Sequence, residues 1–199
     1  MIQANIIFYN DTPELLERCL KSIKNKVDYI LAIDGCYTEF PHDKCYSTDG
    51  CLDIAKKYAD SIIECKKPWK DQIHKRNAYL TDIDGYHFIL DADEELIGSI
   101  PKLEHETYAI KIHNEKDPYH VRFFKSSKEL RYSSRHCWLR NNQKILSNNV
   151  NLENFDKLTN CYLIHHKKER SLSRKQDKLS YYQNRLEGGP AKLFNISQV

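Results

Sequence analysis

Four short apolar runs, three of them followed by helix-like stretches, fill roughly the first half of the chain and leave it few architectures. Residues 4–9 form the first run, which stops at Asn10-Asp11-Thr12-Pro13. Thr12 there suits an N-cap, Pro13 the first helical position and Glu14 the first turn. Leu15, Leu16, Cys19, Leu20 and Ile23 then recur at helical spacing. Residues 29–33 form a second strand ending at Asp34-Gly35, and the loop after it is long enough to suggest function. Ser47-Thr48-Asp49-Gly50 opens another helix pattern, with Asp49 placed to cap it. Residues 61–65 read as a third strand, 71–80 as a helix and 86–90 as a fourth strand. Alternation of this kind implies a parallel sheet with helical crossovers.

The fourth strand runs straight into Asp91-Ala92-Asp93-Glu94-Glu95. In open α/β sheets, ligands bind just beyond the carboxyl ends of the strands. Asp91 and Asp93 are two apart, so an extended backbone turns both to one face. Hard divalent ions take one or two such carboxylates together with phosphate oxygens. A solvated acidic loop after a strand is the other reading of the same residues.

Past residue 100 the pattern changes. Residues 108–113 and 119–124 read as strands around a turn at 114–118, and 130–132 and 161–165 read as further strands. Residues 141–160 read as an Asn-rich loop, and 171–187 as a polar helix closed by Gly188-Gly189-Pro190. A single domain over 1–199 is expected, with halves at 1–100 and 101–199.

The formal charge of +3 is too small to argue for nucleic acid as a partner, although residues 166–178 are locally basic. No apolar run approaches the length of a membrane span, and residues 1–10 lack the features of a signal peptide. A cytoplasmic protein is the expectation. The seven cysteines are odd in number and scattered, which favours reduced thiols over a disulfide framework. Cys36, His42, Cys45 and Cys51 cluster without the CxxC spacings of a zinc site.

Four stretches, in order, carry a resemblance. They are Tyr9-Asn10-Asp11, then Asp34-Gly35 with Ser47-Thr48-Asp49-Gly50, then Trp69 with Arg76-Asn77, and Leu90-Asp91-Ala92-Asp93-Glu94. Together they resemble the nucleotide-sugar-binding half of a family 2 glycosyltransferase with the GT-A fold, whose DXD motif the last stretch matches. The chain departs from that pattern in the residues 36–46 inserted between Asp34 and the Ser-Thr turn. The fold implied is α/β, a GT-A type Rossmann-like and mostly parallel sheet flanked by helices. Residues 1–100 would be its nucleotide-sugar-binding half, and a small mixed second half at 101–199 would face the acceptor and end in a helix.

The resemblance implies a metal-dependent transferase that moves a sugar from a nucleoside diphosphate donor to a glycan, lipid-linked or protein acceptor, with inversion. Tyr9, Asp11, Asp34, Arg76, Asp91 and Lys168 would bind the nucleotide sugar, with Arg76 as the bidentate phosphate donor. Asp91, Asp93 and a late histidine, His165 ahead of His166, would hold Mn²⁺ or Mg²⁺. Asn77 would bond backbone and hold its helix in place. Arg122-Phe123-Phe124 and Arg135-His136 resemble lipopolysaccharide-type members, but Cys137 stands where those have a glutamate. The base near the acceptor is therefore open among Glu94, Glu95, Asp117 and His136, with Glu94 first by position. The short second half leaves room for a partner, a homodimer or a weak membrane-surface contact. A sugar-phosphate nucleotidyltransferase would need a Gly-rich basic loop after the first strand, and residues 9–13 offer none. A non-catalytic nucleotide- or sugar-binding protein on the same scaffold is the alternative from another class.

Overall fold

The structure is a computed structural model that describes residues 1–40, 43–113, 115, 118–133, 138–141, 144–145 and 155–187. The expected parallel core is present: β1 (Ile2–Ile7), β2 (Tyr29–Ile33), β3 (Ser61–Ile63) and β4 (Tyr86–Asp91) pair in the order β3-β2-β1-β4, all parallel. Between them lie α1 (Pro13–Ile23), α2 (Cys51–Tyr58) and α3 (Gln72–Asn77). The chain leaves β1 to one side for β2 and β3, then returns to the other side for β4. That reversal opens a crevice at the carboxyl ends of β1 and β4.

Strands from the second half extend the same sheet. After β5 (Glu94–Gly98) come β6 (Thr107–His113) and β7 (Tyr119–Lys125), then a small antiparallel sheet of β8 (Leu130–Ser133), β9 (Trp138–Asn141) and β10 (Lys144–Ile145). The last strand is β11 (Asp156–His165), and α4 (Leu172–Glu187) follows. The main sheet has eight strands, in the order β3-β2-β1-β4-β7-β6-β11-β5. β7 runs antiparallel to both neighbours, β6 and β11 are parallel, and β5 is antiparallel at the edge. The protein is thus mixed α/β, and a mostly parallel sheet unites both halves of the sequence.

Three local expectations are corrected. The acidic stretch is not a loop: Ala92 and Asp93 form a turn, and Glu94 starts β5, which pairs with β11 rather than folding back on β4. α3 ends at Asn77, short of residue 80. The expected loop at 141–160 includes the start of β11 at Asp156.

Alternation sets the two faces. Ala4, Ile6, Ile30, Ala32, Phe88 and Leu90 pack with Leu16, Leu20 and Ile23 of α1 and Ala55 of α2. Leu31, Ile33 and Ile89 face the other way, toward Tyr79 and Ile73. Phe88 stacks on Phe123 of the adjacent strand with ring centroids 4.1 Å apart, joining the parallel half to the antiparallel strands. That register leaves Asp91 and the end of β1 side by side at the crevice.

Candidate functional site

A cleft of about 270 Å³ lies at the carboxyl ends of β1, β2 and β4. Its walls come from Ile7, Phe8, Tyr9 and Asp11 after β1, and from Gly35, Cys36, Tyr37 and Phe40 after β2. Lys75 and Arg76 of α3 and the turn Asp91-Ala92-Asp93 add polar lining, and Arg170, with Arg174, Lys178 and Tyr181 of the last helix, closes it.

The last helix enters by a cap. Ser171 Oγ accepts from Arg174 N–H at 3.2 Å, and the Ser171 N–H donates to Thr12 Oγ1 at 3.0 Å. Thr12 therefore does not cap α1 with its side chain; its hydroxyl anchors α4 instead. Arg174 and Lys178 are spaced by four within α4, so they share one face, and Arg170, extended just ahead of the helix, joins them at the cleft. Arg174 Nε donates to Asp11 Oδ1 at 2.8 Å, and its guanidinium lies 5.0 Å from the Phe40 ring centroid. Arg170 donates to Asp93 Oδ2 from Nε at 2.7 Å, and its Nη2 lies 2.7 Å from the same oxygen.

The two aspartates of the DXD turn are held differently. Asp91 Oδ1 accepts from Arg76 Nη2 at 3.0 Å, and Arg122 Nη2 is 3.7 Å from Oδ2. Burial would raise the Asp91 pKa, but Arg122 and Arg76 outweigh it and hold the carboxyl well below the usual range. Asp93 is buried, with Oδ2 also 3.1 Å from His165 Nε2. Burial is again overcome for Asp93, here by the His165 hydrogen bond and the Arg170 charge, so its pKa is lowered. His165 Nδ1 faces Glu115 Oε1 at 3.0 Å. Burial would lower the His165 pKa, and the bond to Asp93 with the surrounding carboxylates raises it.

The His166 side chain, just past the end of β11, makes its contacts away from this cleft. Its Nε2 lies 3.0 Å from Glu95 Oε2 and its Nδ1 2.7 Å from Glu169 Oε1. Of the histidine pair, the one ranked first, His165, is the one whose side chain meets Asp93, while the His166 N–H donates to the Asp93 carbonyl at 2.9 Å.

Other predicted residues fall off the cleft. Glu94, first choice as base, is fully buried; it pairs with Arg122 Nη2 at 2.5 Å and accepts the Asp91 N–H at 2.9 Å. Burial, reinforced by the Asp91 charge against the opposing pull of Arg122, raises the Glu94 pKa, and Glu94 is not among the residues that line the cleft. Lys168 is exposed in a short 3₁₀ turn, and the cations that reach the cleft are the later Arg170, Arg174 and Lys178. Asp34 is fully buried behind the cleft, where its carboxylate takes the Ser47 hydroxyl at 2.6 Å and the Ser47 N–H at 3.0 Å. Those bonds restore in space the contact that the 36–46 insertion separates in sequence. His136 and Asp117 lie outside the described residues.

Lys75 was missed. It is buried, and its Nζ donates to the carbonyls of Phe8 at 2.7 Å and Gly35 at 2.5 Å, tying the ends of β1 and β2 together. Burial pushes its pKa down to about 7. Burial and the neighbouring Arg170 and Arg174 push Lys178 down to about 8. An anion in the cleft would favour the charged form of both.

The manganese or magnesium implied by the resemblance would be held by Asp91, Asp93 and His165, each of which is engaged by other side chains here. Among the described residues, no three His, Cys, Asp or Glu side chains are placed to hold a metal ion together. Asp91 faces two guanidiniums, and Asp93 faces a third.

No protein-family profile matches the chain, and no curated protein matches it. Solved structures that match include the crystal structure of S. aureus TarS 1–349, with a TM-score of 0.41 and 16% sequence identity. The match covers 58% of this chain and 37% of that one, so the chain spans well under half of that structure's length. Among the described residues, no helix is long and apolar enough to cross a membrane.

Proposed function

We propose that the protein is a nucleotide-sugar-dependent glycosyltransferase whose donor diphosphate lies in the cleft at the ends of β1 and β4. One observation carries the reading: five cations, Lys75, Arg76, Arg170, Arg174 and Lys178, line the same cleft as the DXD carboxylates. Guanidiniums and ammoniums gathered in a partly buried groove suit phosphate oxygens. The GT-A resemblance supplies the sugar transfer, and the order of the sheet around the crevice supports it. Tyr9, Asp11, Arg76 and Asp91 are the predicted donor residues that line the cleft, and Tyr37, Phe40 and Tyr181 give it an aromatic end suited to a nucleobase face. Departure of the nucleoside diphosphate leaves positive charge on the anomeric carbon and negative charge on the phosphate, which the cations would neutralise. The acceptor remains a glycan, lipid-linked or protein hydroxyl.

A second reading, a binding protein without catalysis, has its own support. Each carboxylate that lines the cleft, Asp11, Asp91 and Asp93, is ion-paired, and Glu94 does not reach it. A thermal-shift panel of UDP, GDP, CDP and dTDP tests the site. A ligand at about a hundred times its dissociation constant adds about 2.7 kcal/mol, or roughly 5–10 °C for a chain of this size. One nucleotide should shift the wild type and fail to shift Arg76→Ala; a flat panel sinks the donor site. Release of free sugar from the matching nucleotide sugar then separates transferase from binder.

A further inference from the structure

Resting on the donor reading above, we propose that Arg170 is the resident cation of the donor site, and that its guanidinium lets a diphosphate bind there without a divalent metal. Asp93 is the pivot. Its side chain is 7% exposed, and one oxygen, Oδ2, is within 2.7 Å of both Nε and Nη2 of Arg170. A metal that took Oδ2 would have to break these charge-assisted contacts inside the protein. Its expected co-ligands are engaged as well: both ring nitrogens of His165 face carboxylates, and Asp91 faces Arg76.

The position of Arg170 is built into the fold. The next residue, Ser171, is tied to Thr12, and Arg174 is tied to Asp11, so the start of α4 is pinned twice to the loop after β1. Nε and Nη2 are directed at Asp93, and the remaining N–H donors of the fork are suited to phosphate oxygens. Charge points the same way. Five cations and three carboxylates line the cleft, a formal surplus of two positive charges (5 − 3) with no ion added. That surplus is of the size and sign a diphosphate needs, and a guanidinium on Asp93 does locally what a metal on Asp93 would do.

The test is calorimetric titration of the full chain with inorganic pyrophosphate, UDP, GDP, CDP and dTDP, first in EDTA and then in Mn²⁺, with Mn²⁺ binding read separately by electron paramagnetic resonance. The expected result is nucleotide binding in EDTA with an affinity that Mn²⁺ leaves unchanged, and no Mn²⁺ signal from the protein alone. Arg170→Ala should weaken binding in EDTA by about tenfold or more, and should gain Mn²⁺ binding because Asp93 is released. Arg170→Lys, which keeps the charge and guards against a folding defect, should lie between them. Nucleotide binding by wild type only in Mn²⁺, or Arg170→Ala binding in EDTA as wild type does, overturns the proposal and leaves the donor reading standing. Pyrophosphate binding in EDTA with no nucleotide binding better keeps the resident cation and removes the donor reading. Silence from every probe in both conditions overturns both.

Discussion

Arg174, near the start of the last helix, donates from Nε to Asp11 Oδ1 at 2.8 Å, joining residues 163 positions apart across the mouth of the cleft. Both side chains are mostly buried, at 17% and 15% exposure, so the pair is more than a surface ion pair. Arg174→Ala should free the first turns of α4 without unfolding the sheet. A charged hydrogen bond of this kind contributes about 1.5–3 kcal/mol, so amide exchange in α4 should quicken by roughly 10-fold to 100-fold. Unchanged exchange there would mean that α4 is held by Tyr181 and its aromatic neighbours instead.

His87 gives the fold an acid-sensitive point. It is buried in β4, where Nδ1 accepts from Asn5 Nδ2 and Nε2–H donates to the Thr81 carbonyl, both at 3.0 Å. Burial lowers its pKa from 6.5 to about 4. Between those values the unfolded chain binds a proton that the folded chain does not, so stability is lost as pH falls through that window. The loss should approach about 3 kcal/mol by pH 4. Urea unfolding at several pH values checks this, and His87→Gln should flatten the slope between pH 6.5 and 4. An equal slope in the variant would shift the cause to other groups.

Asn77 was expected to bond backbone, and it does so with both ends of its amide. Nδ2 donates to the Tyr132 carbonyl at 3.2 Å, and Oδ1 accepts the Tyr132 N–H at 2.7 Å, imitating a strand partner for β8. Asn77→Ala leaves a donor and an acceptor unmet and should cost about 2–4 kcal/mol. Asn77→Asp keeps the acceptor but sets a carboxylate oxygen against the Tyr132 carbonyl, so it should cost at least as much. Chemical denaturation of the two variants ranks them, and the reverse order would contradict this geometry.

What was legible in the sequence followed from local pattern. Short apolar runs marked β1 to β4, Thr12-Pro13 marked the start of α1, and two-residue alternation separated His165 from His166. What was missed depends on contacts between distant residues. Glu94 reads as part of a solvated acidic run because nothing near it in sequence shows that Arg122, from β7, will neutralise it. Lys75 stands unmarked between His74 and Arg76 in the sequence, and only the meeting of the β1 and β2 ends supplies its two carbonyls. Arg174 and Lys178 did leave a signal, their four-residue spacing. That spacing becomes informative only when Ser171 is taken as the cap and the basic run is counted as a helix face rather than as a charge cluster.

Beneath the cleft, Glu94 and Arg122 form a pair whose removal should be strongly asymmetric. Glu94 is fully buried, so Arg122→Ala leaves an uncompensated carboxylate and should cost about 3–5 kcal/mol. Replacing both, with Glu94→Leu and Arg122→Met, should recover most of that loss, because two apolar side chains of similar size avoid the desolvation of two charges. Denaturant unfolding of the single and double variants gives the coupling directly. The milder Glu94→Gln tests chemistry as well as stability. An amide at this position still offers an oxygen to the Asp91 N–H, which Glu94 now meets at 2.9 Å. Because this side chain does not reach the cleft, sugar release from the matching donor should continue at a rate of the same order as wild type. A general base contributes about 10²–10⁴-fold, so a drop of that size in Glu94→Gln, with stability retained, would show that the carboxyl does reach the acceptor.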